Sequence, residues 1–477
     1  MNNKINFSNL STKMKISICV IIFLTILLCT LPMKLCPIYN GEIPQHRNQY
    51  ELLADSILKG HLYIDYGKID KKLINMKNPY DPVERAKQKV EYHWDHSFYK
   101  GHYYMYFGVA PVFLTFIPYK LITGKTLLTY HATQIYVAGF IIGVFALFYL
   151  LCRLFFPKTR ISTYILSSIV FSIMSIWYSI GVPSLYCTAI TSGLFMAIWS
   201  IYFFVLSVYG SQTENRSIVF AFLGSLFGAL TFACRPPIGL VNFLVIPMLI
   251  HFFKRHKINK KLIVKIIFAA LPYVVVGILL MIYNYARFDN PFEFGQSYQL
   301  TVADQHNYSN FLNNINIFDL LSKLEMNFLG YNKYFETFPY MSISGVFVNF
   351  PILIFPLLTI LDEKCLNNIK KKDLRFLYFM LLILPIFVTI IDSFCVPQLG
   401  ERYRMDIYYL MIISTFISII NYYEILDKKK RKIFNFIICL VLLYTFIKLI
   451  LLFFVPNDSN FTQYNSKILE RIRQILL

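Results

Sequence analysis

Charge is scarce in this chain. Only 15% of its residues are Asp, Glu, Lys or Arg, against roughly 25% in soluble domains, and that shortage excludes an ordinary water-soluble fold. Acids are scarcer than bases, 26 against 46, for a formal charge of +20. Such an excess could serve nucleic acid. The Lys and Arg residues instead fall in short clusters between apolar runs, as loops on the cytoplasmic side of a membrane do, and nucleic acid is excluded as a partner. The nine cysteines (Cys19, Cys29, Cys36, Cys152, Cys187, Cys234, Cys365, Cys395 and Cys439) stand singly with no CxxC. Neither a metal cage nor a disulfide framework is indicated. No Walker loop, GxGxxG, HExxH or GxSxG is present, which removes the chemistries those motifs carry. No internal repeat, low-complexity tract or soluble domain is visible.

What the sequence has is apolar length. Hydrophobic residues make up 56% of 477 positions, and the mean hydropathy is +0.52. Runs of about 20 apolar residues recur throughout, each long enough to cross a hydrocarbon core. The chain is read as an all-α polytopic membrane protein, one integral-membrane domain over residues 1–477. Its first run, Ile16–Leu31, follows Lys4, Lys13 and Lys15 and exits through Pro32-Met-Lys-Leu-Cys36 with no small-x-small cleavage site. It is expected to be an uncleaved span with the N-terminus inside.

Phe107–Gly124 decides the topology. Gly108, Pro111, Pro118 and Lys120 would break a lipid-facing helix, so this segment is expected to lie in the membrane interface. The remaining spans are then about 130–152, 161–181, 185–208, 217–234, 237–253, 263–284, 340–361, 375–394, 405–423 and 433–455. With the first, that makes about eleven transmembrane helices. Every basic cluster, Arg153/Lys158/Arg160, Lys254–Lys261, Lys370–Arg375 and Lys428–Lys432, falls inside, and the C-terminus falls outside. The Lys, Asn and Ile richness has the look of a low-GC bacterium, so the expected location is a bacterial plasma membrane.

Two large outer loops, 33–128 and 285–339, hold most of the structured polar residues, and the chemistry is expected there. Within the second, the spacing of apolar residues 317, 320, 321, 324 and 328 predicts an amphipathic helix lying on the membrane. In the first, Asn48–Tyr63 reads as a short helix ended by Gly60. Glu51 and Asp55 are four apart on it and share a face. Paired carboxylates can divide acid–base roles, or they can simply form a solvated face. His93-Trp-Asp-His-Ser-Phe-Tyr-Lys-Gly-His-Tyr-Tyr-Met-Tyr-Phe-Gly108 crowds aromatics around Asp95. Such rings stack on sugars or settle at headgroup level. Asp95 could act as a base, bind a hydroxyl or cap a turn. His93, Asp95 and His96 are better read as loop polarity than as metal ligands. Asp81, Trp94, Tyr99, Tyr103, Tyr104 and Glu293 are candidates to contact substrate. Arg235, Arg287 and Arg402, the last followed by Tyr403, each sit at the outer end of a span. One such arginine can be an interfacial anchor, whereas three could clamp phosphate oxygens.

These features resemble the GT-C superfamily of membrane glycosyltransferases, including relatives of glycosyltransferase family 39. The likeness lies in the acidic first outer loop, the following interfacial helix, about eleven spans and a late outer Arg-Tyr. The wording is similar to bacterial membrane proteins that carry D-x-S-x-Y-x-G-x-Y-Y-x-Y-F-G-x-x-P, then P-x-x-x-x-T-G, R-F-x-x-P-x-E-F-G and R-Y-x-x-D. Here these are Asp95–Pro111, Pro118–Gly124, Arg287–Gly295 and Arg402–Asp406. The resemblance implies a polyprenyl-phosphate sugar donor held by arginines and an envelope glycan, lipid or protein acceptor. It also implies a first-loop acid as base, on the extracytoplasmic face. By position that base is Glu51 or Asp55, with Asp95 as rival. The chain departs from many family 39 relatives in lacking their Asp-Glu pair and Pro-Pro-Leu string; the matching region reads Arg47-Asn-Gln-Tyr50. No cofactor is implied with certainty, and a divalent cation stays open beside a phosphate donor.

Two other classes compete. A transporter or lipid flippase would place ionisable residues inside its spans, whereas Asp392 and Glu424 sit at span ends and no inverted halves are apparent. The second class is a non-catalytic membrane scaffold or an envelope polymerase or ligase; a polymerase would use the same outer arginines and differ in product length.

Overall fold

The computed structural model describes residues 10–35, 49–211, 213–255, 259–305, 316–331, 336, 338–395, 399–455 and 474. The chain is an all-α polytopic membrane protein, with ten helices among the described residues long and apolar enough to cross a bilayer. In chain order, α1 (Thr12–Thr30) is followed by the short loop helices α2 (Gln49–Leu58), α3 (Lys71–Asn75) and α4 (Pro82–Lys87). A hairpin of β1 (Ser97–Tyr99) and β2 (His102–Tyr104) comes next, then α5 (Ile117–Thr123). The long helices α6 (Thr129–Phe155), α7 (Ile161–Gly181), α8 (Leu185–Val205) and α9 (Glu214–Cys234) follow. One turn, α10 (Pro236–Gly239), leads through a 3-10 stretch into α11 (Val245–Arg255), and α12 (Lys260–Phe288) closes this half. Three more long helices, Arg375–Cys395, Met405–Ile425 and Lys428–Phe453, complete the set.

Burial sorts these helices into centre and rim. Met405–Ile425 is 94% buried along its apolar window, whereas α12 is only 11% buried and turns Val264, Ile267, Leu279 and Ile282 outward. Small residues let the central helices approach. Gly139 and Gly143 of α6 lie directly under Phe195 and Ile198 of α8. Along α7, Ser168, Ser172 and Ser175 bond back to the carbonyls of Tyr164, Ser168 and Phe171, satisfying buried hydroxyls inside their own helix.

The first loop leaves and returns on one face, because Gln134 Nε2 near the start of α6 donates to the Thr30 carbonyl at the end of α1, 2.8 Å away. Phe107–Gly124 lies within this returning loop. Its π-helical turn Val112–Phe116 and α5 are short and expose Phe113, Leu114, Leu121 and Ile122. That apolar face suits an interfacial element.

Residues 340–361 are not one continuous helix. Gly345, Pro351 and Pro356 divide the segment into Val346–Asn349, a 3-10 turn and Phe355–Leu361, since each proline lacks the N–H that would extend the preceding turn. It still joins two faces. Ser344 at its start accepts from Arg404, and Lys372 beyond its end pairs with Glu424 at 2.9 Å and reaches the Phe155 carbonyl. Asp373 faces His251 of α11 at 3.7 Å. The basic clusters near residues 158, 254, 370 and 428 thus gather on one face, opposite the two long loops.

The long loops pack on each other. Lys100 and Gly101 both have positive φ, the geometry of a tight two-residue hairpin turn, and pair Ser97 with Tyr104 and Tyr99 with His102. Residues 298–300 line up along β1: Phe98 N donates to the Tyr298 carbonyl at 2.8 Å, and Leu300 N to that of His96 at 2.8 Å. Arg85, 1% exposed, donates to the carbonyls of Pro79 and Thr301, both at 2.6 Å, and stacks on Tyr92. The helix Ile317–Phe328 forms as its spacing predicts, with Ile317, Phe318 and Leu321 exposed.

Candidate active-site cavity

Between the joined loops and the nearby helix ends lies a cavity of about 760 Å³. Its wall includes Asp95, Tyr106, Tyr186, Arg235, Arg287, Gln299, Asp392, Glu401, Arg402 and Tyr403. Gly108 lets the first loop reach it. A Cβ there would stand 2.1 Å from the Cys234 carbonyl at the end of α9, so only glycine allows that approach.

Asp95 has φ +62°, a left-handed conformation that Asp tolerates better than most residues. It is held there by Asp95 N donating to the Leu300 carbonyl at 3.0 Å. The carboxylate is 8% exposed and is met by neutral donors. Tyr186 donates to Oδ2, Gln299 Nε2 to Oδ1, and Tyr106 to both oxygens at 3.3 Å. No ion pair to it is formed among the described residues. Burial, and then the Asp95 charge, hold the Tyr106 phenol well above its ordinary pKa, so Tyr106 stays a donor.

The three arginines do line one cavity, but they are differently engaged. Arg235 grips Asp406 through Nε at 2.8 Å to each oxygen and through Nη2. Arg287, 5% exposed, donates to the Met105 carbonyl at 2.6 Å and to Asn284 at 2.7 Å, and stacks on Tyr283 and Phe288. Arg402 has no carboxylate partner among the described residues. Its guanidinium lies over the Tyr186 ring, 4.0 Å to the centroid, and beside Tyr403. Of the three, it has the most donor capacity left for a ligand.

The other expected residues lie outside the cavity wall. Glu51 is 3% exposed and accepts from Thr129 N at 2.8 Å and Thr129 Oγ1 at 2.7 Å, pinning α2 to the first turn of α6. Asp55 pairs with Lys120 of α5. They share a helix face, as their spacing predicts, yet each serves a separate structural contact. Asp81 caps α4 through Val83 N and Glu84 N. Trp94 is 49% exposed. Tyr99 donates to Asp289, Tyr103 is buried against His93, His96 and Phe98, and Tyr104 packs on Phe288. Glu293 accepts from Gly295 N and Ser297, closing a turn. Among the described residues no three His, Cys, Asp or Glu side chains are placed to hold a metal. His93 stacks on Tyr66 at 3.6 Å, and His96 shares a hydrogen bond with the Tyr66 hydroxyl at 2.8 Å.

The sequence reading missed Tyr186, Gln299 and the partner of Arg235. Tyr186 opens α8 after a short turn and carries no motif, and Gln299 reaches Asp95 only through pairing with β1. Asp406 was visible in the Arg402–Asp406 string without a partner to give it a role. Compared with protein-family models, curated proteins and solved structures, the chain has no significant match to any.

Proposed function

We propose that this chain is a membrane glycosyltransferase that moves a sugar from a polyprenyl-phosphate donor to an envelope glycan, lipid or protein, with Asp95 as base and Arg402 on the donor phosphate. The observation that carries this reading is the meeting, on one cavity wall, of a carboxylate and a guanidinium that has no carboxylate partner among the described residues. The reaction is a displacement at the anomeric carbon. The acceptor hydroxyl gives its proton to Asp95 as its oxygen bonds to that carbon. The carbon–oxygen bond to phosphate breaks, and the electron pair leaves with the phosphate toward Arg402. Tyr106 reaches Asp95 at 3.3 Å to both oxygens, the weakest of its contacts, and is the one an acceptor hydroxyl would displace. The exposed apolar faces of α5 and Ile317–Phe328 suit a lipid tail left in the bilayer while its head enters the cavity. In this reading the membrane is a bacterial plasma membrane, the broken segment 346–361 supplies an eleventh crossing, the basic face and N-terminus are cytoplasmic, and the cavity and C-terminus are extracytoplasmic.

The test is transfer by purified protein in lipid, with radiolabelled polyprenyl-phosphate sugars and an envelope extract as acceptor. Label on the acceptor with wild type and none with Asp95→Asn is the expected result. Flux of the lipid across the bilayer without transfer would point instead to a flippase.

A further inference from the structure

The proposed transfer leaves the class of acceptor open, and one stretch of the cavity wall bears on it. Gln296, Gln299, Thr301, Val302 and Gln305 of the second loop all line the cavity. From Phe294 to Ala303 this strap carries no charged side chain. Leu300 sets its orientation. The Leu300 N–H donates to the His96 carbonyl at 2.8 Å, and its side chain, fully buried, packs with Phe98 and Tyr103. Gln299 and Thr301, on either side of it, project the other way. Thr301 is fixed through its carbonyl, which accepts from Arg85 at 2.6 Å, and Gln299 through its amide, which donates to Asp95. That leaves the Thr301 hydroxyl and the Gln299 Oε1 with no hydrogen-bond partner among the described residues, and neither atom is enclosed. Both side chains are nonetheless nine-tenths buried, as is Gln305, which extends the row.

Polar groups this buried are paired in native structures, so a partner is expected from the cavity side. Its chemistry follows from the row. An amide oxygen accepts, an amide NH₂ donates, and a threonine hydroxyl does both, as does each hydroxyl of a sugar. A lipid alcohol would bring one hydroxyl and an alkyl chain to a row of several polar groups. A charged acceptor would meet no counter-charge on the strap. We propose that Gln299, Thr301 and Gln305 form a subsite for an uncharged glycan, with the sugar hydroxyl on Gln299 Oε1 standing beside Asp95. A cavity of about 760 Å³ is of the size that encloses such a ligand. Naming the glycan as the acceptor rests on the proposed transfer; its binding does not.

The test uses the full-length protein in lipid nanodiscs, with binding read by ligand-observed NMR. The probes are the neutral disaccharides maltose, cellobiose and diacetylchitobiose, a short serine-containing peptide and a short-chain diacylglycerol. We expect a disaccharide to bind more tightly than the peptide or the diacylglycerol. Thr301→Val and Gln305→Met remove no hydrogen bond made among the described residues, so both variants should melt as wild type does. Each should weaken disaccharide binding about three- to tenfold and leave the affinity for a polyprenyl phosphate within about twofold. In transfer assays each should raise the acceptor KM with kcat nearly unchanged. Absence of disaccharide binding by wild type overturns the subsite, as does tighter binding of the peptide or the diacylglycerol. Disaccharide binding that both variants leave intact also overturns it, and means that the strap is only a hydrated wall. Binding that the variants weaken, with no sugar transferred by wild type, upholds the subsite and overturns the transferase reading instead.

Discussion

Tyr186 touches both groups on which the proposed reaction turns: its hydroxyl donates to Asp95, and its ring carries the Arg402 guanidinium at 4.0 Å. Tyr186→Phe keeps the stacking face and removes only the hydrogen bond. A hydrogen bond to a charged group is worth about 1.5–3 kcal/mol, so turnover should fall about 10- to 100-fold while donor affinity stays within about twofold. Parallel measurement of kcat and donor Kd checks this. An equal fall in both would mean that Tyr186 only maintains the cavity.

The three expected acids should separate cleanly. Asp95→Asn removes the proton acceptor and should lower transfer by about 10²- to 10⁴-fold with little loss of folded protein. Glu51→Ala strips Thr129 N and Oγ1 of their buried acceptor. It should cost about 1–3 kcal/mol of stability while activity per folded molecule persists. Asp55→Asn weakens a partly exposed pair with Lys120 and should cost under about 1 kcal/mol. Thermal unfolding and single-turnover transfer on the same preparations distinguish the outcomes.

The arginines divide in the same way. Arg402→Lys retains charge but loses the planar fork that stacks on Tyr186 and pairs with phosphate. We expect donor affinity to drop about tenfold with the melting temperature nearly unchanged. Arg235→Ala leaves Asp406, fully buried, without its partner. That loss is worth about 3–5 kcal/mol and should show as poor folding, not as a specific defect in donor binding. A titration of a polyprenyl phosphate against both variants, alongside their unfolding curves, decides between these roles.

The fold was legible because apolar length and basic clusters answer directly to the bilayer. The kinked 107–124 segment and the amphipathic helix near 317 were legible for the same reason: prolines and 3.6-residue periodicity are local signals. The site was only partly so. All three arginines reach one cavity, yet nothing local to Arg235 says that Asp406, 171 residues away, neutralises it. Glu51 and Asp55 are on one helix face as their spacing implies, but spacing could not tell which partners that face would meet. Asp95 was one of three candidate acids, and nothing local to it announced that residues 298–300 would pair with β1 and bring Gln299 to its carboxylate. Segment 340–361 was expected as a single span because its hydropathy outweighed its breakers, Gly345, Pro351 and Pro356.

The residue after Asp95 carries a pH signature. His96 is 7% exposed, with Nδ1 2.7 Å from the Trp94 carbonyl and Nε2 2.8 Å from the Tyr66 hydroxyl, which suits a neutral ring with Nδ1 as donor. Burial pushes its pKa down to about 4, against a smaller opposing effect of the Trp94 carbonyl. In the unfolded chain the ring titrates near 6.5. Between these values the unfolded state binds the extra proton, so stability rises with pH there. The full contribution is present above about pH 6.5 and drains away as pH falls toward 4, by up to about 3 kcal/mol. His93, stacked on Tyr66 and also lowered by burial, adds in the same direction. Melting temperatures of the solubilised protein should therefore decline through this window. His96→Gln, which cannot take up that proton, should decline less steeply. Identical slopes for the two proteins would place the acid sensitivity elsewhere than beside Asp95.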